Sequence, residues 1–176
     1  MKKEAKKFPV NFLDRENDYY FSKLYGTPLP EGCLDLGTYI ISELFANVKE
    51  HSMAKQVTAE FSISNSLFFF SVSDNGIGIR NSFLKNGIFA KDDRTAIQLA
   101  TGGLSTKKKN ERAFGLYSIE RLVEKSGGTL TIITGKSFAK YSKNQLSFGD
   151  VKKQIKGVKL AVKIPLKKIN VYDVLN

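Results

Sequence analysis

The apolar residues of this chain follow two different rhythms. In the stretch LDLGTYIISELFANVKEHS, Ile40, Ile41, Leu44, Phe45 and Val48 recur at spacings of three and four. That spacing lines one face of a helix and predicts a long one ending near His51 or Ser52. In FGLYSIERLVEKSGG, Leu116, Ile119, Leu122 and Val123 share a face, and the Gly127-Gly128 pair makes a favourable C-cap. Between these helices the rhythm changes. QVTAEFSIS and LFFFSVSD are rich in β-formers and are joined by Asn65-Ser66, which predicts an antiparallel hairpin. Three phenylalanines in a row, Phe68 to Phe70, predict a central strand covered on both faces.

Further along, TLTIIT and VKLAVKIP are two more strands, the last ended by Pro165. The basic, polar stretch between them, GKSFAKYSKNQLSFGDVKKQIKG, is expected to be a long hairpin arm. Residues 1–30 are mixed and polar, with a short strand expected at KKFPVNFL and a Pro-bounded loop at GTPLPEG. From about 80 to 112 the periodicity is lost, apart from a short helix at DDRTAIQLAT capped by Asp92 or Asp93. Irregular stretches of that length inside a compact domain are lids or disordered segments. The order of elements predicts an α+β fold. It is a two-layer sandwich, a mixed and mainly antiparallel sheet with helices on one face. Residues 1–30 form an N-terminal extension and 31–170 the main domain.

Composition narrows the class. A length of 176 residues suits one domain with a real core, and 41% hydrophobic with 26% charged residues is ordinary for a globular protein. No apolar run approaches the roughly 20 residues of a membrane span. The start, MKKEAKKFPVNF, has no apolar stretch and no small-residue cleavage site, so no signal peptide is expected. A cytoplasmic location is the expectation. One cysteine, Cys33, leaves no internal disulfide, and with one histidine a zinc site is not expected. Cys33, before an apolar helix, is expected in the core.

The net charge of +11 suggests nucleic acid first. Yet the lysines cluster at 2–7, 107–109, 152–159 and 167–168, and none of these belongs to a nucleic-acid-reading motif. A solvated lysine-rich surface is the plainer reading. Such a field also attracts a polyphosphate or an acidic protein.

Three stretches carry chemistry. Glu43, Asn47 and His51 are four apart and form a polar stripe beside the apolar helix face. A carboxylate beside an amide oxygen suits magnesium and phosphate chemistry, because magnesium takes few protein oxygens plus substrate phosphates. Asn47 supplies such an oxygen, and Glu43 a base for a hydroxyl or water. The plainer alternative is a solvated stripe with an ordinary histidine near the helix end. DNGIGI, residues 74–79, is either a tight turn or one wall of a pocket, its glycines allowing close backbone approach. A carboxylate ending a buried strand needs a partner, and the amine of adenine is a suitable donor. GGLSTKKKNERAFGL leads into a helix, where free N–H groups favour anions. Neither GxxxxGK[ST] nor a GxGxxG after a strand is present.

Together, and in this order, SELFANVKEHS, DNGIGI and AFGLYSIERLVEKSGG resemble the N, G1 and G2 boxes of the GHKL ATP-binding superfamily. That group includes gyrase B, MutL, the large heat-shock chaperone ATPases, sensor histidine kinases and anti-sigma-factor serine kinases. The resemblance covers about residues 30–165 and implies ATP and Mg2+ as ligands. Asn47 matches the magnesium-binding asparagine and Glu43 the acidic residue four before it. Asp74 matches the aspartate that accepts from adenine, with Gly76, Gly78 and Ile79 in the same box. Phe114, Gly115 and Leu116 match the G2 box at the phosphates. Residues 80–112 match the ATP lid, with Ser105, Thr106 and Lys107 at its phosphate-facing end. The chain departs from the pattern at Ala113, where G2 starts with glycine, and at Val158, where the last strand often has threonine after glycine.

Within the superfamily, an E-x-x-x-N-x-x-x-H box in a short domain looks most like the stand-alone anti-sigma-factor serine kinases. His51, inside the ATP-site helix, does not suit a phosphoacceptor, and no residues remain for the transducer domain of a gyrase or MutL. The resemblance implies a serine/threonine kinase or ATPase acting on a small, STAS-like protein partner, with homodimerisation left open. Two alternatives remain: a non-catalytic nucleotide-dependent switch, and a basic nucleic-acid-binding protein. His51 is expected to cap the helix end, to contact a partner or to tune Glu43.

Overall fold

In the computed structural model the described residues are 3–64, 66–104, 115–143 and 145–170. The chain opens with strand β1 (Glu4–Pro9), a 3-10 turn and helix α1 (Leu13–Tyr25), followed by α2 (Cys33–Asn47). The hairpin β2 (Gln56–Ile63) and β3 (Leu67–Asp74) comes next, then α3 (Gly78–Lys85), α4 (Asp93–Thr101) and α5 (Gly115–Ser126). Four strands complete it: β4 (Thr129–Thr134), β5 (Ser137–Ser142), β6 (Gln145–Asp150) and β7 (Val158–Pro165).

The strands form one seven-stranded sheet in the order β1-β2-β3-β7-β4-β5-β6. The expected mixed sheet is antiparallel at every pairing among the described residues. The reason is where β7 goes. It inserts between β3 and β4 and runs opposite to both, so no crossover creates a parallel pair.

Alternate residues of the strands face the helices. Phe61 pairs with Phe70, Phe70 with Val162 and Val162 with Leu130, which carries one apolar row across four strands. Against that sheet face lie Ile40, Ile41, Leu44 and Phe45 of α2 and Ile119, Leu122 and Val123 of α5, all buried, as their spacing predicts. Phe69 points to the opposite face and is still buried, with the Lys3 ammonium 4.8 Å from its ring centre. Cys33 is buried, its thiol donating to the Lys167 carbonyl and pushed up by burial.

Two helices lie where none was expected. α1 places Leu13, Tyr20 and Leu24 in the main core, but its fourth buried residue is Glu16, tied to Lys6 and Arg15. A carboxylate on the inward face broke the apolar rhythm. α3 buries Phe83 in a small separate core with Ala90 and Ala96, with the half-buried Ile79 against it, too little to register as a period. The expected helix α4 is capped by Asp92, whose Oδ1 accepts from Thr95 N at 2.7 Å. The expected hairpin arm is part of the sheet, with Ala139 and Tyr141 of β5 in the main core.

Candidate functional site

The site begins where α2 ends. The helix runs into a single π turn, Val48–Ser52, which carries Glu50, His51 and Ser52. Such wide turns gather at functional positions. Ser52 closes the turn, its hydroxyl donating to Val48 O at 2.6 Å and accepting from Ala54 N at 3.0 Å. Its carbonyl is left to accept from Ile77 N at 2.8 Å, in the middle of DNGIGI. The end of α2 is thereby fastened to the segment that follows β3.

That segment is no hairpin turn, because β3 pairs with β2 and β7 and the chain runs on into α3. Asp74 ends β3 and is buried. Its Oδ1 accepts from Gly76 N at 2.7 Å and its Oδ2 from Val158 N at 3.3 Å. Burial pushes its carboxyl above the ordinary aspartate range, and the two N–H bonds work against that rise. Gly76 is required by crowding: a Cβ there would lie 2.0 Å from Ser52 O and 2.8 Å from Asp74 Oδ1. Gly78 has φ +81, a conformation that side chains disfavour. Asn75 completes the turn, its Oδ1 accepting from Lys55 N and Gln56 N at 3.0 Å each.

The opposite wall is α2 facing α5. Asn47 Nδ2 donates to Glu43 O at 2.8 Å. That bond holds the amide in place at the end of α2. A Cβ on Gly115 would lie 3.4 Å from Asn47 Oδ1 and 3.8 Å from Glu43 Oε2, so the start of α5 meets both side chains. Tyr39, one turn before Glu43, is hydrogen-bonded to Ser118 of α5, and burial raises its hydroxyl pKa. This bond cross-ties the two helices behind the wall.

One pocket joins these walls. Glu43 and Asn47 of α2, Asp74, Gly78 and Ile79 of the turn, and Gly115 and Leu116 of α5 all line it. Glu50 and His51 line it as well, His51 Nε2 being 3.6 Å from Glu50 Oε2. Gly76 does not. It lines a second cleft together with Thr134 and Gly157. Ser105, Thr106, Lys107, Ala113 and Phe114 lie outside the described residues.

Sequence reasoning missed the apolar slot made by Val72, Phe83, Val158 and Leu160, which come from three separate elements. It also missed Ser52, Asn75 and Thr134, which shape the turn. Thr134 left a trace, a polar residue in the inward row Leu130, Ile132, Thr134. Chemically, the pocket combines an apolar slot, a buried carboxylate and an oxygen-rich helix pair. A flat heterocycle with a donor fits the slot and its carboxylate, and an oxyanion with a hard cation fits the helix pair.

A family model described as "Histidine kinase-, DNA gyrase B-, and HSP90-like ATPase" matches residues 35–168, which takes in every segment of this pocket. No curated protein matches the chain.

Proposed function

Since the chain belongs to the histidine kinase-, DNA gyrase B- and HSP90-like ATPase family, we propose that it is a magnesium-dependent serine/threonine protein kinase or ATPase acting on a small protein partner. The observation that carries this reading is the meeting of Glu43 and Asn47 with Gly115, in the same pocket as Asp74. Adenine takes the apolar slot with its amine toward Asp74, and the phosphates extend toward Asn47 and the start of α5.

Asn47 Oδ1 is a hard oxygen ligand of the kind magnesium accepts beside phosphate oxygens, and its orientation by the Asn47–Glu43 bond fits that use. Magnesium there would neutralise phosphate charge. Glu43 accepts the proton of the attacking hydroxyl, from a partner's serine or threonine or from water. The remaining work is positioning and charge stabilisation.

Calorimetry with ATP and with ADP tests the binding half of this reading, and release or transfer of labelled phosphate tests the chemistry. Asn47→Ala should weaken ATP binding about tenfold in magnesium and leave it unchanged in EDTA. Glu43→Gln should keep the affinity and lower turnover by about 100-fold or more. Full turnover in Glu43→Gln would leave a nucleotide-binding site without this base. Absence of ATP binding in magnesium would remove the reading altogether.

A further inference from the structure

We propose that Thr134 is a positioning residue for base recognition: its hydroxyl joins the two segments that shape the surroundings of Asp74. The inference deepens the nucleotide-binding reading above and rests on it.

β4 turns Leu130, Ile132 and Thr134 to the core, the first two fully buried and Thr134 1% exposed. A buried hydroxyl costs free energy unless it is bonded, and a valine would fill the same place with no such demand. Thr134 makes two bonds instead. Its Oγ1 accepts from Ile79 N at 3.2 Å and donates to Gly157 O at 3.2 Å. Ile79 ends DNGIGI, and Gly157 precedes the strand residue Val158 whose N–H reaches Asp74 Oδ2.

The contacts around this hydroxyl are close. A Cβ on Gly78 would lie 3.0 Å from Thr134 Oγ1, and one on Gly157 would lie 2.2 Å from Asp74 O and 2.5 Å from Asp74 Oδ1. The turn, β4 and the start of β7 therefore meet with no slack. Thr134 pairs directly with Val158 across the β4–β7 ladder, so its bond to Gly157 O fixes the residue that hands Val158 to Asp74. Three N–H groups of the turn are held in three ways. Gly76 N bonds Asp74, Ile77 N bonds the Ser52 carbonyl at the end of α2, and Ile79 N bonds Thr134 in the sheet. Thr134 lines the second cleft, so it acts on the base only through these neighbours.

Removing the hydroxyl while keeping the shape should loosen the start of β7 from the turn and blur the position of the acceptor oxygens that Asp74 presents. The test compares full-length wild type, Thr134→Val and Thr134→Ser. ADP and GDP affinities are measured by calorimetry, the Ile79 amide by hydrogen exchange and the fold by melting temperature. Thr134→Val should weaken ADP about tenfold, narrow the ADP-over-GDP preference and speed exchange at Ile79. Thr134→Ser, which restores the hydroxyl, should return all three to within about twofold of wild type. If Thr134→Val does not fold, Thr134→Ala makes the same removal with less bulk and is read in the same way. A wild-type ADP-to-GDP ratio in the folded hydroxyl-less variant overturns the proposal, even with a lowered melting temperature. Wild-type protein that binds neither nucleotide overturns the nucleotide reading, and this inference with it.

Discussion

The Asp74 wall and the Asn47 wall of the pocket are built by different means. At the Asp74 wall, backbone N–H groups of the turn and of β7 bond to acceptors from the π turn after α2, from β3 and from β4, and the glycines sit against groups that leave no space for a side chain. At the Asn47 wall, two side chains of one helix face Gly115 at ordinary contact distance. The difference teaches where selectivity is stored. A pattern of fixed backbone groups selects a base by shape and donor position, whereas side chains of one helix can adjust to a charged group and its cation. Substituting one glycine at each wall is the strongest way to break this contrast. Gly76→Ala forces a methyl group against Ser52 O and should weaken ADP binding by roughly 100-fold, the equivalent of about 3 kcal/mol of forced displacement. Gly115→Ala places its methyl 3.4 Å from Asn47 Oδ1 and should stay within about threefold of wild type. Equal losses in calorimetric titrations would mean that both walls are equally stiff.

A smaller effect sharpens the same contrast through pH. In the proposed role Asp74 would accept from a base amine most strongly when ionised, and burial raises its carboxyl pKa in the folded protein. The sign follows directly. Protonation on acidification should weaken ADP binding at a pH higher than an ordinary aspartate would give. In the absence of nucleotide the same shift acts oppositely. Its contribution to stability is present below the unfolded-state pKa and is lost as pH rises through the folded one. Asp74→Asn should weaken ADP by about 10- to 100-fold at neutral pH, because it loses the charge and sets an amide donor against Val158 N–H or Gly76 N–H. It should also flatten the acid limb of the affinity profile. An unchanged acid limb in Asp74→Asn would assign that limb to another group.

Much of this contrast was written in short-range pattern. Glu43 and Asn47 were legible because four residues make one helical turn, and the apolar stripe beside them fixed the face. Asp74 was legible because it ends an apolar strand. The glycines of DNGIGI were legible as glycines, but the reason for Gly76 is the carbonyl of Ser52, 24 residues earlier by their numbers and brought there by a π turn. Thr134 and Gly157 bond across the sheet, and no local period encodes which strand lies beside which. β7 between β3 and β4 is that kind of fact, and it decides both the antiparallel sheet and the N–H that reaches Asp74. α1 escaped notice for a local reason, the inward-facing Glu16 in its apolar row.

The smallest expected effect concerns a helix that belongs to neither wall. α4 is fastened to the sheet at both of its termini. At its start, Asp93 Oδ2 accepts from Lys136 N at 3.0 Å, and Gly135 leaves no space there for a side chain. At its end, the hydroxyls of Thr101 and Tyr141 meet at 2.8 Å, both residues buried. Tyr141→Phe removes one hydroxyl but leaves Thr101 its bond to Ile97 O at 2.9 Å, so no polar group is stranded. The cost should be about 1 kcal/mol of unfolding free energy or less, measured by denaturant titration. ADP affinity and its magnesium dependence should not move. Should they move, the anchor of α4 is coupled to the pocket, where Ala100 of the same helix contributes to the lining, and the contrast between two walls becomes one among three parts.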